Sequence, residues 1–390
     1  MSLPFGLYIH IPFCVSKCRY CDFLSFPADR AARKAYLSRL IREMRVRSSG
    51  LGSRKVRTVF IGGGTPSILG DEQISRLMEA VFSCFDVEEG AEISMECNPG
   101  TGEALSFRNL RSAGINRLSL GLQSMDDEQL RLLGRIHTKR QFLESYEKAR
   151  EGGFDNINID IMSGLPGQSL ASWMRTLDEV CALKPEHISA YSLIVEEGTP
   201  FYSIDGEGAG RPSWPPLPDE DTERDMYHEA EDFLKGQGYT HYEISNFARS
   251  GYECRHNLAY WLRGDYLGLG LGAASLIDHV RSANTRDLDI YMKHSFEADA
   301  FLRSPLCAEY TKLSEKDRME ETMFLGLRCS LGVGCGQFEE TFGKDIYSVY
   351  GPVIDRYEKL GLLEEKGGRI RLTRAGIDVS NVVMADFLLD

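Results

Sequence analysis

Three cysteines fall within eight residues near the start of the chain, at Cys14, Cys18 and Cys21. The spacing C-x3-C-x2-C follows an apolar run and lies in a segment that predicts a loop. Zinc in a structural site usually needs a fourth protein ligand, and no second cysteine pair with finger spacing is present. A 4Fe–4S cluster held by three cysteines leaves one iron open to a small molecule. The spacing therefore favours a cluster over zinc, and three unrelated buried cysteines are the remaining alternative.

A glycine-rich turn follows the next predicted strand, in the sequence GGGTPS at 62–67. Glycine has no side chain, so Gly63 and Gly64 permit unusual φ values and the close approach of another backbone. Free N–H groups of this turn could meet a carboxylate or other polar atoms of a ligand. Three glycines alone are weak evidence for a ligand loop, but their position one strand after the cysteines favours one.

Short apolar segments alternate with helical ones, and this alternation must position both motifs. Strands are predicted at 7–11, 56–63, 92–97, 117–123, 157–162 and 187–194, and helices at 31–46, 71–82, 102–113, 141–151 and 170–183. Such alternation implies right-handed βαβ crossovers and a parallel sheet. Six units are fewer than the eight of a closed barrel. We therefore predict an α/β fold with an open, partial (βα)6 barrel that binds its ligand at the carboxyl ends of the strands.

The remaining sequence predicts an extension of this barrel and a second, smaller domain. A Gly- and Pro-rich loop at 206–218 and a helix at 219–236 precede strand-like segments at 239–245 and 266–275. Helices at 314–327 and 348–360 are followed by a hairpin at 362–365 and 369–372 and a last helix from Arg374, an order that resembles a winged helix. We predict a partial barrel with the cluster site at 1–240, an extension and linker at 241–305, and a C-terminal α+β winged-helix-like domain at 306–390.

Composition and charge exclude several classes of protein. The hydrophobic fraction of 42% is ordinary for a globular chain and too high for a disordered one. The net charge of −13 argues against a nucleic-acid-binding surface, and the winged-helix-like part has no basic stripe.

The sequence also predicts a cytoplasmic location. No run approaches the roughly 18 apolar residues of a membrane span. The N-terminal segment has neither the basic region nor the cleavage site of a secretion signal. In the cytoplasm, the seven scattered cysteines are expected to be free and mostly buried.

The cysteine spacing and the motifs around it resemble one superfamily. C-x3-C-x2-C after the first strand of a partial barrel is highly specific to the radical S-adenosylmethionine superfamily, and YIHIPFCVSKCRYC at 8–21 resembles its oxygen-independent coproporphyrinogen oxidase-like branch. The likeness continues through GGGTPS at 62–67, ECNPG at 96–100, RLSLGLQS at 117–124, NIDIMSGLPGQ at 158–168, EISNFA at 243–248 and HNLAYW at 256–261. It reaches the C-terminal helices and hairpin, so it covers nearly the whole chain.

Two functions occur within that branch. The coproporphyrinogen dehydrogenases remove carboxyl groups from a porphyrinogen, whereas the haem chaperones called HemW bind haem and pass it to haem proteins. The dehydrogenases carry a further cysteine two residues after the third ligand, where this chain has Phe23, and a longer arm than the seven residues that precede Tyr8 here. Both departures favour the chaperone family. A radical enzyme acting on another substrate is the third candidate.

The resemblance implies a 4Fe–4S cluster and S-adenosylmethionine as cofactors. Cys14, Cys18 and Cys21 would ligate three irons, and the amino and carboxylate groups of S-adenosylmethionine would chelate the fourth. In an active radical enzyme, the reduced cluster would cleave the sulfonium and form a 5′-deoxyadenosyl radical. The resemblance further implies cofactor contacts from Gly63, Gly64, Thr65, Glu96, Gln123, Arg135 and Asp160.

Several of these residues have a structural alternative. Glu96, Gln123 and Asp160 lie at or near the ends of predicted strands, where buried hydrogen bonds could simply order the barrel. Arg135 could hold a carboxylate by a paired contact, or it could be a surface residue. Tyr8 and Tyr20 bracket the cysteines, where they would pack against the cluster or the adenine or belong to the core.

His256 is the predicted haem ligand. It opens HNLAYW at 256–261, which matches the HNxxYW motif proposed for haem binding in the chaperone family. A neutral imidazole is a good ligand for haem iron, and Tyr260 and Trp261 could flank a flat macrocycle. The alternatives are a structural histidine at this position and Cys254 as a rival thiolate ligand.

The sequence therefore predicts a cytoplasmic haem chaperone, with haem as its cargo rather than its cofactor. Its expected partners are haem and haem-accepting proteins, with respiratory ones as candidates, and a homodimer is a candidate assembly that the sequence does not fix. Neither nucleic acid nor a membrane span is expected. Whether the chain also acts as an enzyme is left open.

Overall fold

The computed structural model describes residues 5–101, 105–203, 214–293 and 306–389. The strands in chain order are β1 Phe5–Ile11, β2 Phe13–Cys14, β3 Phe26–Pro27, β4 Val56–Gly63, β5 Val87–Cys97, β6 Arg117–Gln123, β7 Ile157–Ser163, β8 His187–Ser192, β9 Thr240–Glu243, β10 Asn246–Ala248, β11 Tyr266–Leu269, β12 Ala274–Ile277, β13 Val280–Asn284, β14 Cys307–Lys312, β15 Val333–Gly334, β16 Leu363–Glu365 and β17 Arg369–Leu372. The helices are α1 Arg30–Ser48, α2 Asp71–Cys84, α3 Phe107–Ser112, α4 Asp127–Leu132, α5 Lys139–Glu151, α6 Leu170–Ala182, α7 Glu220–Gly236, α8 Arg255–Trp261, α9 Leu288–Lys293, α10 Glu315–Gly326, α11 Cys335–Phe342, α12 Ile346–Lys359, α13 Arg374–Asp378 and α14 Ser380–Ala385.

Six parallel strands form the centre of the main sheet. β1, β4, β5, β6, β7 and β8 are neighbours in that order, and each pairs in parallel with the next. Helices connect each strand to the following one, so the predicted partial (βα)6 barrel is confirmed. β6 is buried along its whole length, as expected for a parallel strand covered on both faces.

Both edges of the parallel sheet are extended by later parts of the chain. β11 pairs in parallel with β1, and β12, β13 and β14 continue outward in antiparallel pairs. At the other edge, β10 and β9 follow β8, again antiparallel. The segment predicted as an extension at 241–305 thus contributes to both edges, and α8 lies on the connection between them.

Local sequence signals explain where several helices begin. Ser106 accepts a hydrogen bond from the Asn109 N–H and so caps α3, while the first residues of the predicted helix at 102–113 lie outside the described residues. Asp126 caps α4, a helix that our sequence analysis did not predict. Most of the predicted loop at 206–218 also lies outside the described residues.

The C-terminal part forms its own hydrophobic core from α10 to α14 and the small sheet β15-β17-β16. This agrees with the predicted helices and hairpin. Backbone hydrogen bonds attach it to the barrel, from Ile244 N to Arg328 O at 3.1 Å and from Ser330 N to Tyr242 O at 3.0 Å. No helix in the described ranges is long and apolar enough to cross a membrane.

Candidate functional site

The three clustered cysteines lie on one loop at the carboxyl end of β1. Cys14 ends β2, and the parallel pairing of β2 with β3 closes the loop that carries Cys18 and Cys21. All three thiols are free, with Cys14 buried and the other two partly exposed. The Arg19 N–H donates to the carbonyl of Leu133 at 3.0 Å, which anchors the loop to the segment after α4.

The three thiols of the cysteine loop are suitable ligands for an iron–sulfur cluster. In the described part of the chain, no three His, Cys, Asp or Glu side chains converge around a single-ion site. That finding does not bear on a cluster, because each thiolate of a cluster binds a different iron. Burial raises the pKa of the Cys21 thiol, with the neighbouring Cys18 and Cys14 adding to the shift. Iron binding must therefore displace protons from this loop.

The glycine turn packs directly against the segment that leads into the cysteine loop. Gly63 has φ +115°, and a Cβ there would come within 2.5 Å of the His10 ring. A Cβ on Gly64 would lie 2.7 Å from the carbonyl oxygen of Phe13. The glycines are thus required by the close approach of two chain segments within the protein.

The N–H groups of this turn are not free, contrary to our expectation from the sequence. The Gly63 N–H donates to Glu96 Oε2 at 3.0 Å. The Gly64 and Thr65 N–H groups donate to the carbonyls of Ile11 at 2.9 Å and Phe13 at 2.8 Å. The Thr65 hydroxyl donates to Cys14 Sγ at 3.4 Å, so this side chain does reach the cysteine loop.

Replacing Gly63 by Ala should destabilise the protein far more than the same change at Gly153. Gly153 also has a positive φ, of +90°, but a Cβ there would meet nothing within 4 Å. Both variants acquire backbone strain of about 1–2 kcal/mol, and only Gly63→Ala adds a clash with His10, costing about a further 1–3 kcal/mol. Chemical denaturation of the two variants measures the difference. Equal losses of unfolding free energy would contradict this explanation of the turn.

Polar side chains occupy the carboxyl ends of the next strands. Glu96 is the penultimate residue of β5, and burial, with a contribution from the negative charge of Asp160, raises the pKa of its carboxyl to about 8. Gln123 ends β6 with φ +73°, and its Oε1 accepts a hydrogen bond from the Tyr191 hydroxyl at 2.9 Å. These two residues lie where the resemblance implies cofactor contacts.

Asp160 is engaged within the barrel. One of its carboxylate oxygens accepts from the Ser119 hydroxyl at 2.9 Å, and the other from Asn158 Nδ2 at 2.7 Å. Burial raises the pKa of this carboxyl. These bonds support the structural alternative for Asp160, which is to order the neighbouring strands β6 and β7.

Arg135 is not a surface residue, because it lies beside the cysteine loop. Its Nη1 donates to Cys18 Sγ at 3.7 Å, and its Nη2 donates to Asn98 Oδ1 at 2.8 Å and Gly121 O at 2.6 Å. Its Nε is buried without a hydrogen-bond partner in the described chain. The guanidinium thus contacts one of the three cysteines and retains one donor for another group.

Asn98 lies in the site although it was not among the predicted cofactor contacts. Its Nδ2 donates to Thr65 Oγ1 at 2.9 Å while its Oδ1 accepts from Arg135, so it links the glycine turn to the guanidinium. Its position directly after β5, within ECNPG at 96–100, was the available signal.

The two tyrosines that bracket the cysteines have different surroundings. The Tyr8 hydroxyl donates to His10 Nδ1 at 2.8 Å, and His10 Nε2 donates to the carbonyl of Leu24 at 2.9 Å, which ties β1 to the far end of the cysteine loop. Tyr20 packs beside Leu133 and Met162. Burial raises the pKa of the Tyr20 hydroxyl, while the positive charge of Arg135 opposes the shift.

His256 lies inside the barrel, away from the cysteine loop. The side chain is 1% exposed and stacks on Phe60 at 5.2 Å between ring centroids. Its Nδ1 is hydrogen-bonded to Thr58 Oγ1 at 2.9 Å and its Nε2 to the Tyr260 hydroxyl at 2.8 Å. Burial lowers the pKa of the imidazole to about 3, so the ring is neutral. Both ring nitrogens are hydrogen-bonded, which is the arrangement of a structural histidine. Iron ligation would require the ring to break at least one of these hydrogen bonds.

Glu92 holds the start of α8 in the barrel. Its carboxylate accepts from the Arg255 N–H at 3.0 Å and the His256 N–H at 3.1 Å, and the Cys254 thiol donates to it at 3.6 Å. Burial raises the pKa of that thiol to about 12, which does not favour Cys254 as a thiolate ligand. Trp261, at the end of α8, instead contacts Arg328 of the C-terminal part.

Comparisons with known proteins agree with this architecture. The family model "Radical SAM superfamily" matches residues 8–180, and "HemN C-terminal domain" matches residues 313–379. The structure of "Coproporphyrinogen III oxidase (HemN) from Escherichia coli is a Radical SAM enzyme" superposes with a TM-score of 0.84 at 27% identity, covering 99% of this chain and 90% of that one.

Full-length relatives define the family more closely. "Heme chaperone HemW" of Lactococcus lactis subsp. lactis (strain IL1403) is 36% identical over 390 residues, which is 100% of this chain and 99% of the relative. The protein of the same name from Bacillus subtilis (strain 168) is 36% identical over 382 residues, 98% of each chain. The chain therefore belongs to the HemW family of the radical SAM superfamily.

Proposed function

We propose that this chain is a haem chaperone that binds haem reversibly and delivers it to haem proteins. The observation that carries the proposal is the full-length likeness to relatives named heme chaperone, at 36% identity. Phe23 supports it, because a 67% exposed aromatic side chain stands where the dehydrogenases of the branch carry a further cysteine. Haem-accepting proteins, respiratory ones among them, are the proposed partners, in the cytoplasm and with the chaperone as a homodimer.

Within this proposal, the barrel mouth holds a 4Fe–4S cluster and S-adenosylmethionine. Cys14, Cys18 and Cys21 would ligate three irons. The cluster would offer its fourth iron to S-adenosylmethionine, and the two together would supply the capacity for reductive cleavage of a sulfonium. Arg135, at 3.7 Å from Cys18 Sγ, offsets the negative charge of the thiolates, and its unpaired buried Nε is available to a carboxylate.

A haem titration tests the proposal. The anaerobically reconstituted protein should bind close to one haem per chain, followed by absorbance in the Soret region. We expect micromolar affinity, about −8 kcal/mol, because a transfer protein must also release its cargo. A denatured sample of the same chain is the control for unspecific haem uptake. Haem uptake that never saturates, or that is equal in the denatured sample, would contradict the proposal.

The second candidate function is oxidative decarboxylation of coproporphyrinogen III. It is favoured by one observation, the TM-score of 0.84 to the coproporphyrinogen III oxidase structure. An anaerobic assay of the reconstituted protein with coproporphyrinogen III, S-adenosylmethionine, a low-potential one-electron reductant and an electron acceptor distinguishes the two functions. We expect no decarboxylated product, and product formed over repeated turnovers would replace the chaperone proposal with the enzyme.

A further inference from the structure

A groove of about 460 Å³ lies between the end of α8 and the C-terminal helices α10 and α14. Its walls are largely apolar, and they include the side chains of Trp261, Phe324, Leu325, Met384 and Leu388. The volume lies within the range of cofactor and small-molecule sites. Leu388 is 57% exposed on the rim, so the groove is open to solvent.

One cation, the Arg328 guanidinium, lines this groove and makes only a long ion pair with a carboxylate. The Arg328 guanidinium lies 4.4 Å from the centre of the Trp261 ring. The nearest carboxylate oxygen, Glu243 Oε2, is 3.9 Å away and has no hydrogen-bond partner in the described chain, whereas Glu243 Oε1 accepts from the Ser245 N–H and from Asn246. The Arg328 side chain is 29% exposed, so an anion can reach its terminal nitrogens.

Two donors at the same place lack acceptors. Arg328 Nε and Trp261 Nε1 are both buried without a hydrogen-bond partner in the described chain. Unpaired buried donors are uncommon and favour a missing acceptor. The groove therefore combines an aromatic and aliphatic wall with a cation, which suits a flat, apolar molecule that carries an anionic edge.

We propose that this groove is the haem-binding site, an inference that rests on the proposed function. The apolar ring of haem lies against Trp261, Phe324 and Leu388, and a propionate pairs with Arg328. Met384 also lines the groove, and methionine is a side chain that can ligate haem iron. HNLAYW then contributes to haem binding through Trp261, whereas His256 holds α8 against Thr58 in the barrel.

Haem titration of full-length, anaerobically reconstituted variants tests the site. Arg328→Gln should raise the dissociation constant of haem about tenfold or more, because it removes a charge-assisted hydrogen bond. Arg371→Gln is the matched control, since Arg371 belongs to the same domain and pairs with Glu364 on the hairpin. It should bind haem as the parent protein does. Met384→Leu, a change that conserves volume, should shift the Soret maximum of bound haem.

A second variant tests the groove independently, in case Arg328→Gln does not fold. Leu388→Glu places a carboxylate on the exposed rim, where it should weaken haem binding without disturbing the fold or the iron content. A third variant, Phe23→Ser, changes an exposed side chain two residues after Cys21 and tests the barrel mouth as the alternative site. Parent-like haem binding by both Arg328→Gln and Leu388→Glu would contradict the assignment of haem to the groove, and weakened binding in Phe23→Ser alone would place haem at the barrel mouth. An unchanged Soret maximum in Met384→Leu would contradict the assignment of Met384 as the iron ligand. Failure of the parent protein to bind haem would overturn the proposed function itself.

Discussion

Replacing any one of Cys14, Cys18 and Cys21 by Ser is expected to remove nearly all the iron that the protein retains after anaerobic reconstitution. Each thiolate would hold a different iron, and the fourth iron has no protein ligand, so the cluster cannot remain attached through two cysteines. The parent protein should contain about four irons and four sulfides per chain. Iron and sulfide analysis after removal of unbound metal measures the loss.

Other cysteines of the chain provide the matched controls. Cys84, at the end of α2, and Cys335, at the start of α11, are free and partly exposed, like Cys18 and Cys21. Their replacement by Ser should leave the iron content unchanged. An equal loss of iron in Cys335→Ser, or in a Cys254→Ser variant that still folds, would show that the ligand assignment is wrong.

His256→Ala is expected to lower the free energy of unfolding by about 3 kcal/mol. The change empties a buried position against Phe60 and leaves the hydroxyls of Thr58 and Tyr260 without their shared partner. Denaturation by urea measures this loss on the apoprotein, where neither cluster nor haem contributes.

His279→Ala is the control for this prediction, because His279 is exposed on the turn between β12 and β13. It should change the free energy of unfolding by less than about 0.5 kcal/mol. A weaker haem affinity in His256→Ala would then be attributed to a loosened α8 and a displaced Trp261. If His256→Ala kept its stability and lost only haem, His256 would be the iron ligand and the structural assignment would be wrong.

The parallel part of the fold could be predicted because its signals are local. Strands such as Phe5–Ile11 are buried on both faces and mostly apolar, so they are recognised as short apolar runs with helices between them. The cysteine loop and the glycine turn could be placed near each other because both follow strands of one parallel sheet. The structure adds the reason for the glycines, which is contact with His10 and Phe13.

The surroundings of HNLAYW could not be predicted from its own sequence. His256 is bonded to Thr58, 198 residues away, and the N–H groups at the start of α8 are bonded to Glu92, 164 residues away from His256. No local pattern specifies such partners. The motif resembles a ligand-binding sequence, yet both ring nitrogens of its histidine are hydrogen-bonded within the barrel. The contact of Trp261 with Arg328 of the C-terminal part is likewise visible only in the tertiary structure.

The central claim, that the chain passes haem on, is tested most directly by the rate of haem transfer. The haem-loaded, reconstituted protein is mixed in a stopped-flow instrument with the apo form of a respiratory haem protein, and the change in Soret absorbance is followed. Apomyoglobin, which takes up haem released by any protein, is the reference acceptor. We predict that the transfer rate rises with the concentration of the respiratory acceptor and is independent of the concentration of apomyoglobin. Identical, concentration-independent rates for both acceptors would mean that haem merely dissociates, and this result would contradict the account.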